Sequence, residues 1–110
     1  MKLPNGDQAV VEMRKLSEYC LSPRHPRGRH KARVFASAIG ITEAEADVLR
    51  NGLLEAARTQ PAVPGAEDQY GMRYTLDFEM SGPAGKRVVR SFWIIRAGEF
   101  FPRFVTCFVI

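Results

Sequence analysis

The spacing of apolar residues changes from a helical period before residue 60 to strict alternation after residue 70. Within 29–39, apolar side chains recur at i, i+3, i+4 and i+7, which is one buried stripe of a helix. The residues of this stripe are Ala32, Phe35, Ala36 and Ile39. Gly40 follows as a C-terminal cap. A shorter apolar face predicts a helix over 14–21, which Pro23 ends because the residue before a proline is pushed out of the helical region.

A third helix is predicted to begin at Thr42 and to run to about Arg58. Thr42 and Glu45 have the spacing of a capping box, in which the two residues satisfy each other's free backbone N–H groups. Before these helices, a turn followed by three apolar residues predicts a short strand over 9–11. After them, two prolines and a glycine predict a loop over 60–69. The first part of the chain is therefore predicted to be mostly helical.

Apolar and polar residues alternate over 70–80, which predicts a half-buried strand. A Gly-Pro-Ala-Gly stretch at 82–85 predicts a hairpin turn, and two further strands are predicted over 86–96 and 103–110. Helices followed by a meander indicate an α+β fold. We predict a single domain over 1–110, with a short N-terminal strand and two to three helices on one face of a three- to four-stranded antiparallel sheet.

Composition adds limits on cellular location and partners. The chain has 110 residues, of which 45% are hydrophobic and 25% charged, as in ordinary globular domains. Its net charge of +4 favours acidic partners such as nucleic acid. No leader segment and no apolar run long enough for a membrane helix is visible, so a cytoplasmic protein, or a module of a larger one, is expected. The two cysteines, Cys20 and Cys107, lie in apolar patterns and are interpreted as buried free thiols.

One basic segment, 24–33, concentrates the candidate chemistry. It contains both histidines and five of the sixteen Lys and Arg residues, and its second half is the predicted start of a helix. Free N–H groups at such a start favour an anion, and Arg29, Lys31 and Arg33 add positive charge. The alternative is a solvated basic turn. We therefore expect a phosphate site at this helix start.

The two histidines allow acid–base chemistry beside that phosphate site. His25 lies between cationic neighbours that disfavour its charged form, so it is predicted to serve as a neutral general base. A turn-fixing hydrogen bond to the backbone is the alternative role for His25. His30, next to Lys31, is a second candidate for acid or base, with packing against an aromatic ring as its alternative.

The predicted strands supply further candidates for contact with phosphate. Arg73, Arg90 and Arg103 form a basic stripe across three strands if their side chains share a face. Ser91 and Thr106 are candidates for hydrogen bonds to phosphate oxygens. A register slip of one residue would reverse these faces, and an ordinary solvated sheet surface is the alternative. The carboxylates are not accompanied by a further metal ligand, and no cofactor-binding motif is present, so neither a metal nor a cofactor is predicted.

Several segments resemble a bacterial family of small domains of unknown function, whose members also occur as C-terminal modules of polymorphic toxins. The segments that carry this resemblance are 15–21, 25–28, 30–35, 70–74 and 102–108. At the level of fold, the order of elements is also similar to the barnase, colicin and RelE group of ribonuclease toxins. That similarity implies metal-independent cleavage of RNA, in which the 2′-hydroxyl attacks the adjacent phosphate.

Two hypotheses about function follow. The first is a metal-independent ribonuclease of the toxin type, in which His30 or His25 transfers protons while Lys31 and Arg103 stabilise charge. The second is a non-catalytic module that binds a protein or a nucleic acid, as one half of a toxin–antitoxin or immunity pair. Exposed aromatic residues suit a surface for such a partner or for a homodimer. These aromatic residues are Phe92, Phe100, Phe101 and Phe108.

Overall fold

A four-stranded antiparallel meander forms one layer of the protein in the computed structural model, which describes residues 1–110. The strands follow one another in the order of the sequence, so every strand pairs with its neighbours in the chain. They are β1 (Val63–Asp68), β2 (Gly71–Gly82), β3 (Gly85–Arg96) and β4 (Arg103–Val109). With the helices described next, this layer confirms the predicted α+β class.

Three helices form the second layer, and two of them end in a wider π-helical turn. The helices are α1 (Met13–Lys15), α2 (Arg29–Val34) and α3 (Ala46–Thr59). The π-helical turns are Leu16–Cys20 after α1 and Phe35–Ile39 after α2. Gly40 ends the second of these in the left-handed region, as the sequence predicts, and the capping box of Thr42 and Glu45 precedes α3. None of these helices is long and apolar enough to cross a membrane.

Two sequence predictions about strands are wrong. The region predicted as a loop over 60–69 contains β1, whose proline and glycine are tolerated because β1 is an edge strand with a break in register between Pro64 and Glu67. The strand predicted over 9–11 is a single bridge, in which Val10 pairs with Arg103 at the start of β4. The first error arises because the proline and glycine of an edge strand are also typical of a loop. The second arises because the partner of Val10 is remote in sequence.

The helices cover one face of the sheet and leave the other open. Alternating residues of β2 and β3 point into the core, where Trp93 and Phe104 meet edge to face with ring centroids 5.6 Å apart. On the open face, Phe92 and Phe108 stack across β3 and β4 and are half-buried. Phe100, in the loop before β4, is 68% exposed. The sheet therefore positions β4 as an edge strand beside α1 and α2.

Candidate functional site

Lys31 and Thr106 meet where α2 approaches β4. The ammonium of Lys31 donates a hydrogen bond of 3.1 Å to the Thr106 hydroxyl, across 75 positions of sequence. Both side chains are half-buried. This contact joins the predicted basic segment to the predicted last strand, and it defines the centre of the candidate site.

A bulge in β4 precedes Thr106. The pairing partners of Phe92 and Trp93 are Thr106 and Phe104, so Val105 is an extra residue with no partner on β3. Such bulges bend an edge strand and redirect the side chains beside them. We attribute to this irregularity the approach of the Thr106 side chain to α1 and α2.

A second lysine reaches the same edge of β4. The ammonium of Lys15 donates a hydrogen bond of 2.8 Å to the carbonyl oxygen of Phe104, two residues before Thr106. Seven of the sixteen Lys and Arg side chains lie within 4.0 Å of a carboxylate, and neither Lys15 nor Lys31 is among them. Two half-buried cations without a carboxylate partner make this edge attractive to an anion.

Tyr19 connects Lys31 with His25. The Lys31 ammonium lies 4.9 Å from the centroid of the Tyr19 ring, within the range of a cation–π interaction. The His25 ring stacks on Tyr19 with centroids 4.7 Å apart. Tyr19, at the end of the π-helical turn after α1, therefore holds both predicted catalytic residues near one another.

The imidazole of His25 also caps the start of α2. Its Nδ1 atom accepts hydrogen bonds of 3.0 Å from the backbone N–H groups of Arg27 and Gly28. An Nδ1 that accepts two hydrogen bonds carries no proton, so in the neutral ring the proton is on Nε2. The turn-fixing alternative therefore describes His25 better than the predicted role of general base, and Nε2–H is left as a donor.

The thiol of Cys20 adds an ionisable group to the site. Cys20 is only 1% exposed, and its sulfur lies 3.7 Å from the Thr106 hydroxyl oxygen. A hydrogen bond from the Cys107 thiol, helped by Thr106 and by the charge of Lys31, outweighs burial and lowers the pKa of Cys20 from 9.0 to about 6. The same contact with Cys20 raises the pKa of the Cys107 thiol. At neutral pH, the Thr106 hydroxyl thus lies between an ammonium and a thiolate.

Titration of Cys20 is expected to be visible both in ultraviolet absorbance and in stability. Thiolate absorbance should rise through a pH of about 6, and Cys20→Ser should abolish that step. The pKa of the thiol in the folded protein lies below that in the unfolded chain. The free energy of unfolding should therefore increase as the pH is raised from about 6 to 9.0, and decrease as the pH is lowered through the same range. Cys107→Ala should move the step to higher pH. An unchanged Cys20 titration in Cys107→Ala would contradict the assigned cause.

Three further residues of the basic segment lie at other positions around α2. At 3.6 residues per turn, Arg29 and Arg33 each lie about 160° around the axis of α2 from Lys31, and His30 lies about 100° from it. All three are exposed, and the His30 ring makes no hydrogen bond within the protein. The structure therefore does not bring Arg29 and Arg33 together with Lys31 around one phosphate.

The three arginines predicted as a basic stripe lie on the open face of the sheet. Arg73 and Arg103 both stand beside Ile94, and Arg90 stands further along β3. Each is held by a carboxylate at 2.7–2.9 Å, and these partners are Asp68, Asp77 and Glu99. The stripe therefore carries compensated charge. Arg103 is bound by both oxygens of Glu99.

Ser91 lies in the core and does not reach a phosphate. It is 0% exposed, donates a 2.7 Å hydrogen bond to the carbonyl oxygen of Leu76, and accepts one of 2.9 Å from the indole N–H of Trp93. Both bonds satisfy buried groups that would otherwise cost stability. The prediction for Ser91 as a phosphate ligand is therefore wrong, because alternation turns this position inward.

Sequence reasoning missed Lys15, Tyr19 and Cys20. The sequence pattern predicts Tyr19 and Cys20 only as part of the apolar face of the helix over 14–21. Only the π-helical turn and the pairing of β4 bring these residues to Lys31 and Thr106, and neither feature leaves a local sequence signal.

Comparison with known proteins gives a family and a fold. A family model described as a domain of unknown function, DUF6883, matches residues 2–110. No curated protein matches the sequence. Among solved structures, a chain of a contact-dependent growth inhibition toxin–immunity protein complex from Klebsiella pneumoniae 342 superimposes with a TM-score of 0.71. The two sequences are 20% identical, and the match covers 92% of this chain and 99% of that one, so the fold is shared.

Proposed function

The chain belongs to the DUF6883 family of domains of unknown function, and we propose that it is a metal-independent ribonuclease of the toxin type. The observation that carries this proposal is the 3.1 Å hydrogen bond between Lys31 and Thr106 at an edge of β4 where neither Lys15 nor Lys31 has a carboxylate partner. The fold shared with a protein from a toxin–immunity complex supports a role in a toxin system and a cognate immunity protein as partner.

Lys31 and Thr106 bind the scissile phosphate in the proposed mechanism. Attack of the 2′-hydroxyl on phosphorus places negative charge on the non-bridging oxygens, and a preorganised ammonium and hydroxyl stabilise that charge. Lys15, two residues along the same strand edge, raises the local positive potential. Because the Cys20 thiolate lies 3.7 Å from Thr106, we assign Cys20 to positioning the hydroxyl.

The two histidines have different parts in the reaction. His30 is exposed, makes no hydrogen bond within the protein and lies about 100° around α2 from Lys31, and we assign it to take the proton of the 2′-hydroxyl as the O2′–P bond forms. His25 presents Nε2–H because its Nδ1 accepts two backbone hydrogen bonds, and it donates a hydrogen bond to a phosphate oxygen. The 5′-oxygen takes a proton from water as the P–O5′ bond breaks. The products are a 2′,3′-cyclic phosphate and a 5′-hydroxyl, and transfer of the proton from His30 to the hydroxide left in the water restores the neutral imidazole.

Incubation of the purified protein with a short oligoribonucleotide tests this proposal. We expect cleavage that leaves a 2′,3′-cyclic phosphate and is unchanged by a chelator. An oligonucleotide with a single 2′-deoxyribose at the cleaved position should stay intact there, because it lacks the attacking hydroxyl. Intact RNA, together with harmless expression in cells, would reject the ribonuclease and favour a non-catalytic binding module.

A further inference from the structure

A groove of about 490 Å³ lies on the side of α2 opposite Lys31. Its walls are α2 and the segment that leads into α3, and its lining includes Leu21, Ala32, Ala36 and Ala44. Leu21 and Ala32 form a floor that is only 2% and 6% exposed. Small side chains on α2 leave room for a close approach by another chain, so the groove is shaped for an apolar side chain.

Two arginines at the groove lack a carboxylate partner. Arg29 and Arg33 line it one helical turn apart, and both are exposed. Neither lies within 4.0 Å of a carboxylate. The one acidic residue in the lining, Glu43, is already held by Arg24 through hydrogen bonds of 2.8 and 3.1 Å. The groove therefore combines an aliphatic floor with two available guanidinium groups.

We propose that this groove binds an acidic segment of a partner protein. One apolar side chain of that segment packs on Ala32 and Ala36, while carboxylates on either side pair with Arg29 and Arg33. A protein segment fits better than RNA because no aromatic side chain lines the groove, and bound bases are held largely by stacking on such rings. Because α2 separates this groove from Lys31, the proposal does not depend on the ribonuclease.

Peptide binding followed by two-dimensional NMR of the full chain tests the proposal. The probe is a synthetic peptide in which Glu residues flank Leu, and its control is the same peptide with Gln in place of Glu. We expect the acidic peptide to shift the amide signals of Ala32, Arg33 and Ala36. The double variant Arg29→Glu/Arg33→Glu should weaken its binding at least about tenfold.

Further variants separate loss of binding from loss of fold. Ala36→Glu places a negative charge in the groove and should repel the acidic peptide, whereas Ser37→Glu adds the same charge at a position that does not line the groove and should not. Lys31→Met should bind the peptide normally, so the result stands even if no RNA is cleaved. Equal binding of the Gln peptide, no binding at all, or groove shifts caused by an oligoribonucleotide instead would each overturn the proposal.

Discussion

Replacement of Lys31 by methionine is expected to lower the rate of RNA cleavage by about 10²–10³-fold, the usual effect of removing one preorganised donor to a transition-state charge. Methionine keeps an unbranched side chain of similar length over the Tyr19 ring. The lost hydrogen bond joins two half-buried side chains, so the fold should persist. Initial cleavage rates at a saturating and at a low concentration of oligoribonucleotide separate the effects on kcat and KM.

Two controls decide whether the loss comes from this position or from total charge. Lys2→Met removes the same charge from an exposed lysine at the N-terminal bridge to Pro61 and should leave cleavage unchanged. Lys31→Arg keeps the positive charge but replaces the compact ammonium with a planar guanidinium, and it should retain part of the cleavage rate that Lys31→Met loses. Thr106→Val should also lower the rate of RNA cleavage. Full activity in Lys31→Met would remove Lys31 from the mechanism and, with it, the observation on which the proposed function stands.

Replacement of Gly28 by alanine is expected to destabilise the protein by about 3 kcal/mol, the upper end of the usual cost of overpacking. The backbone at Gly28 has an ordinary φ of −78°, so the penalty is steric. A Cβ there would overlap the backbone carbonyl oxygen of Tyr19 and lie 2.8 Å from its carbonyl carbon. Relief requires moving Tyr19 away from α2, and this would also separate Lys31 from the aromatic ring.

Gly52 provides the matched control for Gly28→Ala. It lies inside α3, where a Cβ would meet the end of the flexible Met80 side chain at 3.3 Å. Because Met80 can shift by a few tenths of an ångström and alanine favours the helix, Gly52→Ala should stabilise the protein by about 0.5–1 kcal/mol. Urea denaturation of both variants measures the two effects. A Gly28→Ala protein as stable as the parent would show that α1 and α2 are not packed as closely as described.

The sequence predicted most of the fold because each major element has its own local period. The stripe that includes Phe35 and the cap at Gly40 define the second helical segment without reference to the rest of the chain. The alternation over 70–80 defines β2 in the same way. Edge pairing has no such local signal. β1 contains Pro64 and pairs only through its partner β2, so composition alone indicated a loop.

The sequence could predict individual residues of the candidate site, but it could not predict that they contact one another. Lys31 was proposed from its place near a helix start and Thr106 from its place on the last strand, and the two arguments were independent. Their contact depends on the bulge at Val105, which shifts the register in a way that alternation cannot reveal. Ser91 illustrates the opposite case. As a small polar residue it was expected on the solvent face of its strand, but it lies in the core, where its hydroxyl accepts a hydrogen bond from the Trp93 indole.

The distance in sequence between Lys31 and Thr106 has a consequence for the order in which the protein is made. A chain emerging from the ribosome presents α1, α2 and the basic segment first, while Thr106 in β4 is synthesised 75 positions after Lys31. Until β4 pairs with β3, Thr106, Cys107 and the strand edge that receives Lys15 are all missing. Under the proposed function, a nascent chain is therefore harmless to the RNA of the ribosome that makes it, and activity begins only when the final strand has folded into place.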